Sequence, residues 1–143
     1  MALLALWSTH TNQNTKKAQK DIPDAISKTP VKSLKKKPDH IISLNASPFS
    51  KDKQKKRERI IKDISKDLKC GVTYVNMCGA QDELIFDGQS FQVSKNGDLI
   101  TRLPAFSEKL WLGEKLKTAV PKKYESLEKA LVLGIKDYFL KTG

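Results

Sequence analysis

The sequence predicts a mixed α/β fold. Three observations carry that expectation. A short apolar run, Ile41–Asn45, leads into a charged stretch with helical periodicity and then into a second β-forming run, Val72–Met77. That strand–helix–strand passage has the length of a crossover unit joining parallel strands. Beyond it, two extended pieces flank Asn96-Gly97, a strong hairpin signal because both residues tolerate positive φ.

The elements run in order from the N-terminus. Ala2–Trp7 is apolar but has neither a basic leading region nor a clear cleavage site, so it is not read as a signal peptide. Thr9–Lys20 is polar without a usable period, and Pro23, Pro30 and Pro38 punctuate residues 21–38. A short helix is expected near Val31–Lys37, within an otherwise poorly ordered segment over residues 1–38. Ile41–Asn45 reads as a buried strand, which Ser47-Pro48 ends because proline cannot donate to a ladder.

Ser50–Lys69 reads as a helix. Ile60, Ile61, Ile64 and Leu68 share one face, and Lys55, Lys56, Arg57 and Arg59 are assigned to its exposed surface. Gly71 comes just after the last turn, where a helix commonly stops. Gly79–Glu83 is read as a loop and Leu84–Phe86 as a short extended piece. Ser90–Val93 and Asp98–Arg102 form the arms of the hairpin, and Pro104 ends the second. Phe106–Gly113 is partly apolar and Thr118–Lys123 is a basic linker. Tyr124–Leu140 is a second helix, with Leu127, Leu131, Ile135 and Tyr138 as its apolar stripe.

Charge divides the chain. Its net charge is +11, yet residues 1–69 hold 17 basic and 7 acidic side chains, against 10 and 9 over residues 70–143. Clustered lysines suit nucleic-acid phosphates. Aromatics are scarce among them, however, and no base-reading motif is present, so a solvated basic face is preferred. Two cysteines, Cys70 and Cys78, are too few for a disulfide framework and fit a reducing compartment. His10 and His40 lie far from both in sequence, which argues against zinc. No run approaches the ~20 apolar residues of a membrane helix.

The most distinctive stretch is Tyr74–Val93, YVNMCGAQDELIFDGQSFQV. Asp82, Glu83 and Asp87 make an acidic cluster suited either to acid–base or metal work, or to fixing a loop through backbone N–H groups and pairing with neighbouring subunits or domains. The second role is preferred. Phe86 and Phe91 are expected in the core, and Gly88 at a turn that other residues would strain.

This stretch carries a family resemblance. Asn45-Ala46-Ser47-Pro48-Phe49, then Val75-Asn76, then Gly79-Ala80-Gln81-Asp82-Glu83-Leu84-Ile85-Phe86-Asp87-Gly88-Gln89-Ser90-Phe91 resemble, in order and spacing, the glutaminase region of glutamine-dependent NAD synthetases, members of the nitrilase or carbon–nitrogen hydrolase superfamily. Tyr124–Gly143 is similar to the helix that opens their synthetase domain. The resemblance covers Ile41 to Gly143. It implies the C-terminal half of a nitrilase-type α-β-β-α sandwich over residues 39–117, and a linker with the first synthetase helix over residues 118–143.

By the same resemblance, the chemistry would be release of ammonia from glutamine by a Glu–Lys–Cys triad, and ATP-dependent amidation of deamido-NAD. The family's triad residues lie upstream of the matched region. Cys70 and Cys78 do not align with its nucleophile and read as unreactive thiols. Its ATP-binding Ser-Gly-Gly-x-Asp-Ser loop has no counterpart. No catalytic residue and no metal ligand is therefore assigned, and ATP and magnesium are implied only for the full-length family. Two glutamine-binding positions carry over: Ser47, and Lys53 as partner of the substrate α-carboxylate. Ser47 also reads as a strand-terminating turn residue, and Lys53 as one lysine on a solvated helix.

The expectation is thus a cytoplasmic fragment of such an enzyme, inactive alone, aggregation-prone or molten in isolation, and oligomeric if intact. Alternatives are a fragment of another carbon–nitrogen hydrolase, or a basic nucleic-acid-binding protein.

Overall fold

The computed structural model describes residues 5–8 and 38–142. The helix expected near Val31–Lys37 lies outside the described residues. Seven strands and two helices run in the order β1 (Ala5–Ser8), β2 (His40–Asn45), α1 (Lys53–Leu68), β3 (Gly71–Asn76), β4 (Cys78–Gln81), β5 (Leu84–Asp87), β6 (Phe91–Val93), β7 (Leu99–Arg102) and α2 (Lys123–Thr142). The α/β expectation holds.

Five strands form one sheet in the order β1-β2-β3-β6-β7. β1, β2 and β3 run parallel, while β3, β6 and β7 pair antiparallel. The β2–α1–β3 passage is the crossover foreseen from the sequence. The β6–β7 hairpin turns where Asn96-Gly97 predicted it, with Gly97 at φ 82° and the Gly97 amide donating to the Ser94 carbonyl. β1 is an addition: no element was anticipated before Val31, yet Ala5–Ser8 pairs in parallel with Ile42–Asn45.

The core lies between this sheet and α1. Ile41, Val72, Tyr74, Phe91 and Val93 meet Ile61, Ile64 and Leu68 of the helix, with Cys70 buried among them. Strand alternation explains the selection, since 72 and 74 point to one side of β3 while Val75 points to the other and is exposed. Tyr74 and Phe91 stack with ring centroids 5.1 Å apart. Burial pushes the Tyr74 hydroxyl above its ordinary pKa.

Helix α1 ends two residues earlier than a cap at Gly71 would require. Lys69 takes the left-handed conformation, φ 50°, and its amide turns back to Lys66. Gly71 instead opens β3 where an added Cβ would lie 2.6 Å from His40 Nδ1. Its role is close strand packing, not capping.

The second sheet is a hairpin of β4 and β5. It replaces the expected loop at Gly79–Glu83. Gln81 pairs with Leu84 across Asp82-Glu83, and Asp82 adopts φ 51° to close the turn. The hairpin packs on α2, but not on the apolar stripe that periodicity selected. Leu127, Leu131, Ile135 and Tyr138 are all exposed, whereas Ala130 is buried at 4 % exposure. An added Cβ at Gly134 would meet Ile85 Cδ1 at 3.2 Å. Small residues let the hairpin backbone reach the helix. Asp137 Oδ2 accepts the Ala80 N–H at 2.7 Å, and Lys141 Nζ donates to the Ala80 carbonyl.

Candidate functional site

The candidate site gathers at the carboxyl ends of β2 and β3 and the start of α1. β2 ends at Asn45, and the Asn45 carbonyl accepts the Met77 N–H. The chain then turns through Ser47-Pro48-Phe49 against β5, where the Phe49 amide donates to the Ile85 carbonyl at 2.7 Å. Ser47 is held from both sides. Its amide donates to Asn76 Oδ1 at 2.9 Å, and its carbonyl accepts from Arg57 Nη2 at 2.7 Å.

Arg57 is the hub. Nη1 reaches both oxygens of Asp87, at 2.8 and 2.9 Å, with both side chains almost fully buried. Nε donates to Ser47 Oγ at 3.3 Å, and Nη2 also reaches the Pro48 carbonyl at 3.2 Å. Asn76 Nδ2 adds a 3.3 Å bond to Asp87 Oδ1. A second ion pair lies alongside: Arg102 binds Glu58 through Nε at 2.7 Å and Nη2 at 3.0 Å, and Gln54 Nε2 bonds Glu58 Oε1. Two buried carboxylates are thus each matched to one arginine, as burial of charge demands.

The placement of Arg57 corrects its assignment to the exposed face of α1: it is 5 % exposed. It stands four residues before Ile61 and so continues the inward stripe 57, 61, 64, 68. Periodicity marked it; its charge concealed it. Asn76, Gln54, Glu58 and Gln89 were likewise not foreseen as site residues, and only the Val-Asn motif pointed at Asn76.

The two sequence-predicted binding residues do not touch each other and are linked only through Arg57 and the Pro48 carbonyl. Lys53 Nζ donates to Pro48 O at 2.9 Å, the oxygen that Arg57 also contacts beside Ser47. Burial, and then the nearby Arg57 charge, lower the Lys53 pKa below the ordinary lysine value. The acidic cluster does not assemble: Asp82 and Glu83 are exposed on the hairpin turn, while Asp87 alone is buried, and its carboxylate accepts from the Arg57 and Asn76 side chains and not from the backbone N–H groups expected. Gly88 takes φ 63°, and Phe86 and Phe91 are buried as foreseen. Cys78 is half-buried, and burial pushes its thiol up to about 11. Among the described residues no group of three His, Cys, Asp or Glu could hold a metal ion, and no helix is long and apolar enough to cross a membrane.

No family model matches the chain. The glutamine-dependent NAD(+) synthetase of Synechocystis sp. is 40% identical over 114 residues, covering 72% of this chain and 20% of that protein. The enzyme of the same name from Acinetobacter baylyi is 32% identical over 115 residues, covering 72% and 21%. In fold, the chain is similar to the glutamine-dependent NAD+ synthetase of Acinetobacter baumannii solved with ADP. The TM-score is 0.71 at 23% identity, over 99% of this chain and 26% of that one. The chain spans about a fifth of the length of the curated relatives it matches. Over most of its length, this chain belongs with the glutamine-dependent NAD synthetases, as a counterpart of one segment of them.

Proposed function

We propose that this chain serves in a glutamine-dependent NAD synthetase, a cytoplasmic, oligomeric ligase that amidates deamido-NAD with ammonia taken from glutamine. Its part in that work is to hold glutamine, with Ser47 and Lys53 as the binding residues. The observation that carries the reading is the 40% identity to the Synechocystis enzyme over 114 residues. The geometry supports it locally. Lys53 is a half-buried ammonium that spends one proton on Pro48 O and sits beside a second cation. An incoming carboxylate would relieve that electrostatic strain and accept the remaining protons. Arg57, itself anchored by Asp87, fixes the Ser47 backbone beside the proposed substrate position.

ATP and magnesium belong to the reaction of the whole enzyme. The described residues do not fit them: they offer no metal-binding cluster, and the sequence has no Gly-rich phosphate loop. No step is routed through either. Neither Cys70 nor Cys78 is placed as a nucleophile, since the first is buried in the core and the second is held protonated.

The test is titration of the chain with L-glutamine by calorimetry, alongside an ammonia-release assay. Lys53→Met is expected to weaken binding by about tenfold through loss of a charge-assisted pair. Unchanged affinity would overturn the assignment. Ammonia release should stay at background. Release sensitive to thiol blocking would show that the chain is a competent glutaminase.

A further inference from the structure

Ser47 belongs to no strand or helix, so its position depends on whatever grips its peptide groups. Asn76, at the end of β3, grips both of them. Its Oδ1 accepts the Ser47 N–H at 2.9 Å, and its Nδ2 donates to the Ser47 carbonyl at 3.3 Å. The same Nδ2 donates to Asp87 Oδ1 at 3.3 Å. One planar amide thus spans residue 47 from donor to acceptor, and the Asp87 bond decides which way round it lies. Asn76 is 6 % exposed, so these bonds are made away from water.

Asn76 is itself gripped in the same manner. Ser90 Oγ accepts the Asn76 N–H at 3.0 Å and donates to the Asn76 carbonyl at 3.4 Å. The Ser90 carbonyl in turn accepts the Leu103 N–H at 2.8 Å, which ties this second clamp to the chain beyond β7. Two side chains, each closed on the peptide groups of the next residue, therefore lead from Ser90 through Asn76 to Ser47. The chemistry at position 76 is narrow. Aspartate would accept from the Ser47 N–H but could not donate, and it would set a second carboxylate against Asp87. Glutamine would be one methylene too long to close on the same peptide groups.

We infer that Asn76 is a positioning residue for glutamine: through the Ser47 peptide it sets where the Ser47 hydroxyl meets the substrate, with Ser90 holding Asn76 in place. This rests on the reading of Ser47 as a glutamine contact. Arg57 also holds the Ser47 carbonyl, but it is one half of a buried ion pair, so its loss would undo the fold along with the site. Asn76 is neutral, and its truncation leaves the Arg57–Asp87 pair standing. Position and stability can be separated there.

The test is a double-mutant cycle on the full chain, with L-glutamine affinity read by calorimetry for the chain, Asn76→Ser, Ser47→Ala and the double variant. Asn76→Ser is expected to bind about tenfold more weakly. It should have no further effect once Ser47→Ala has removed the hydroxyl that Asn76 positions. Equal losses in both backgrounds would mean a general loosening of the site and would overturn the inference. Amide hydrogen exchange without ligand is the second arm. In Asn76→Ser the Ser47 amide should exchange about tenfold faster, while the Phe49 amide, bonded to the Ile85 carbonyl, keeps its rate. Ser90→Ala, expected to weaken binding about threefold, carries both arms should Asn76→Ser not fold. Unchanged exchange at Ser47 would overturn the positioning role whether or not glutamine binds. A chain that binds no glutamine, with the exchange difference present, would overturn the glutamine reading and leave Asn76 as the holder of Ser47.

Discussion

Arg57 and Asp87, thirty residues apart, meet at 2.8 Å in a pair whose side chains are 5% and 4% exposed. The contact joins the first turns of α1 to the end of β5, and through Ser47 and Asn76 to the ends of β2 and β3. Removing one partner leaves the other charge buried and alone. Asp87→Ala should therefore destabilise the chain by roughly 3–5 kcal/mol. Arg57→Ala should cost a similar amount, and the double variant much less than the sum. Chemical denaturation of the four species measures this; additive losses would show that the pair is not a unit.

At position 79 the backbone takes a conformation that residues other than glycine rarely adopt, beside the tip of the Asp137 side chain. Gly79 sits at φ 133°, and an added Cβ would lie 3.1 Å from Asp137 Oδ2. Gly79→Ala should cost about 1–3 kcal/mol from the backbone alone, and it should push Asp137 off the Ala80 amide. Hydrogen exchange at Ala80 reads the second effect. Asp137→Asn, which removes the charge without adding bulk, is expected to speed that exchange while leaving the β6–β7 hairpin unchanged.

Cys78 should be a sluggish thiol. With its pKa near 11, its thiolate fraction at pH 8 is on the order of a hundredfold below that of a free cysteine, and alkylation should be slower in proportion. The sign for stability comes from the same shift. The unfolded thiol ionises first, so the unfolded chain binds fewer protons above pH 9. The contribution of Cys78 is present in full below that pH and is lost as pH rises toward about 11. Denaturant midpoints of the chain and of Cys78→Ala across pH 8–11 test it; parallel curves would refute the shift.

Gly71 tests the distinction between a capping glycine and a packing one. An added Cβ would press on the His40 ring, whose Nε2 pairs with Thr73 Oγ1 at 2.8 Å. Gly71→Ala should destabilise by about 1–3 kcal/mol, and His40→Ala should remove most of that penalty by clearing the space. A capping role at position 71 would leave the Gly71→Ala cost unaltered in the His40→Ala background.

Much of the fold was legible because it is written in local periods. An apolar run and β-forming residues gave the strands, the Ile60, Ile61, Ile64 and Leu68 spacing gave the inward face of α1 apart from Ile60, which stands outside the core, and Asn96-Gly97 gave a hairpin. The misses share a cause. The β4–β5 hairpin has too few β-formers to stand out; its stability comes from α2, fifty-seven residues away at the Ala80–Asp137 bond. The apolar stripe of α2 misled because the packed face is built from small and polar residues, Ala130, Gly134, Asp137 and Lys141. In the candidate site, Ser47 and Lys53 were reached through motif resemblance. Arg57 was hidden by assuming that a charge on a basic helix is solvated. Its carboxylate partner is distant in sequence, and no local pattern announces it.

Asp137 and Lys141 stand one turn apart on α2 and grip opposite faces of a single peptide neighbourhood, the amide and the carbonyl of Ala80. A helix held at one point can slide or roll; one held by a donor and an acceptor on the same residue cannot. Translation by a single residue, about 1.5 Å, would bring a different side chain opposite each group and lose both bonds together. The hairpin thus works as an axial key. It sets the longitudinal position of α2 against the β4–β5 ribbon, and it does so through backbone atoms that no substitution at position 80 removes except proline.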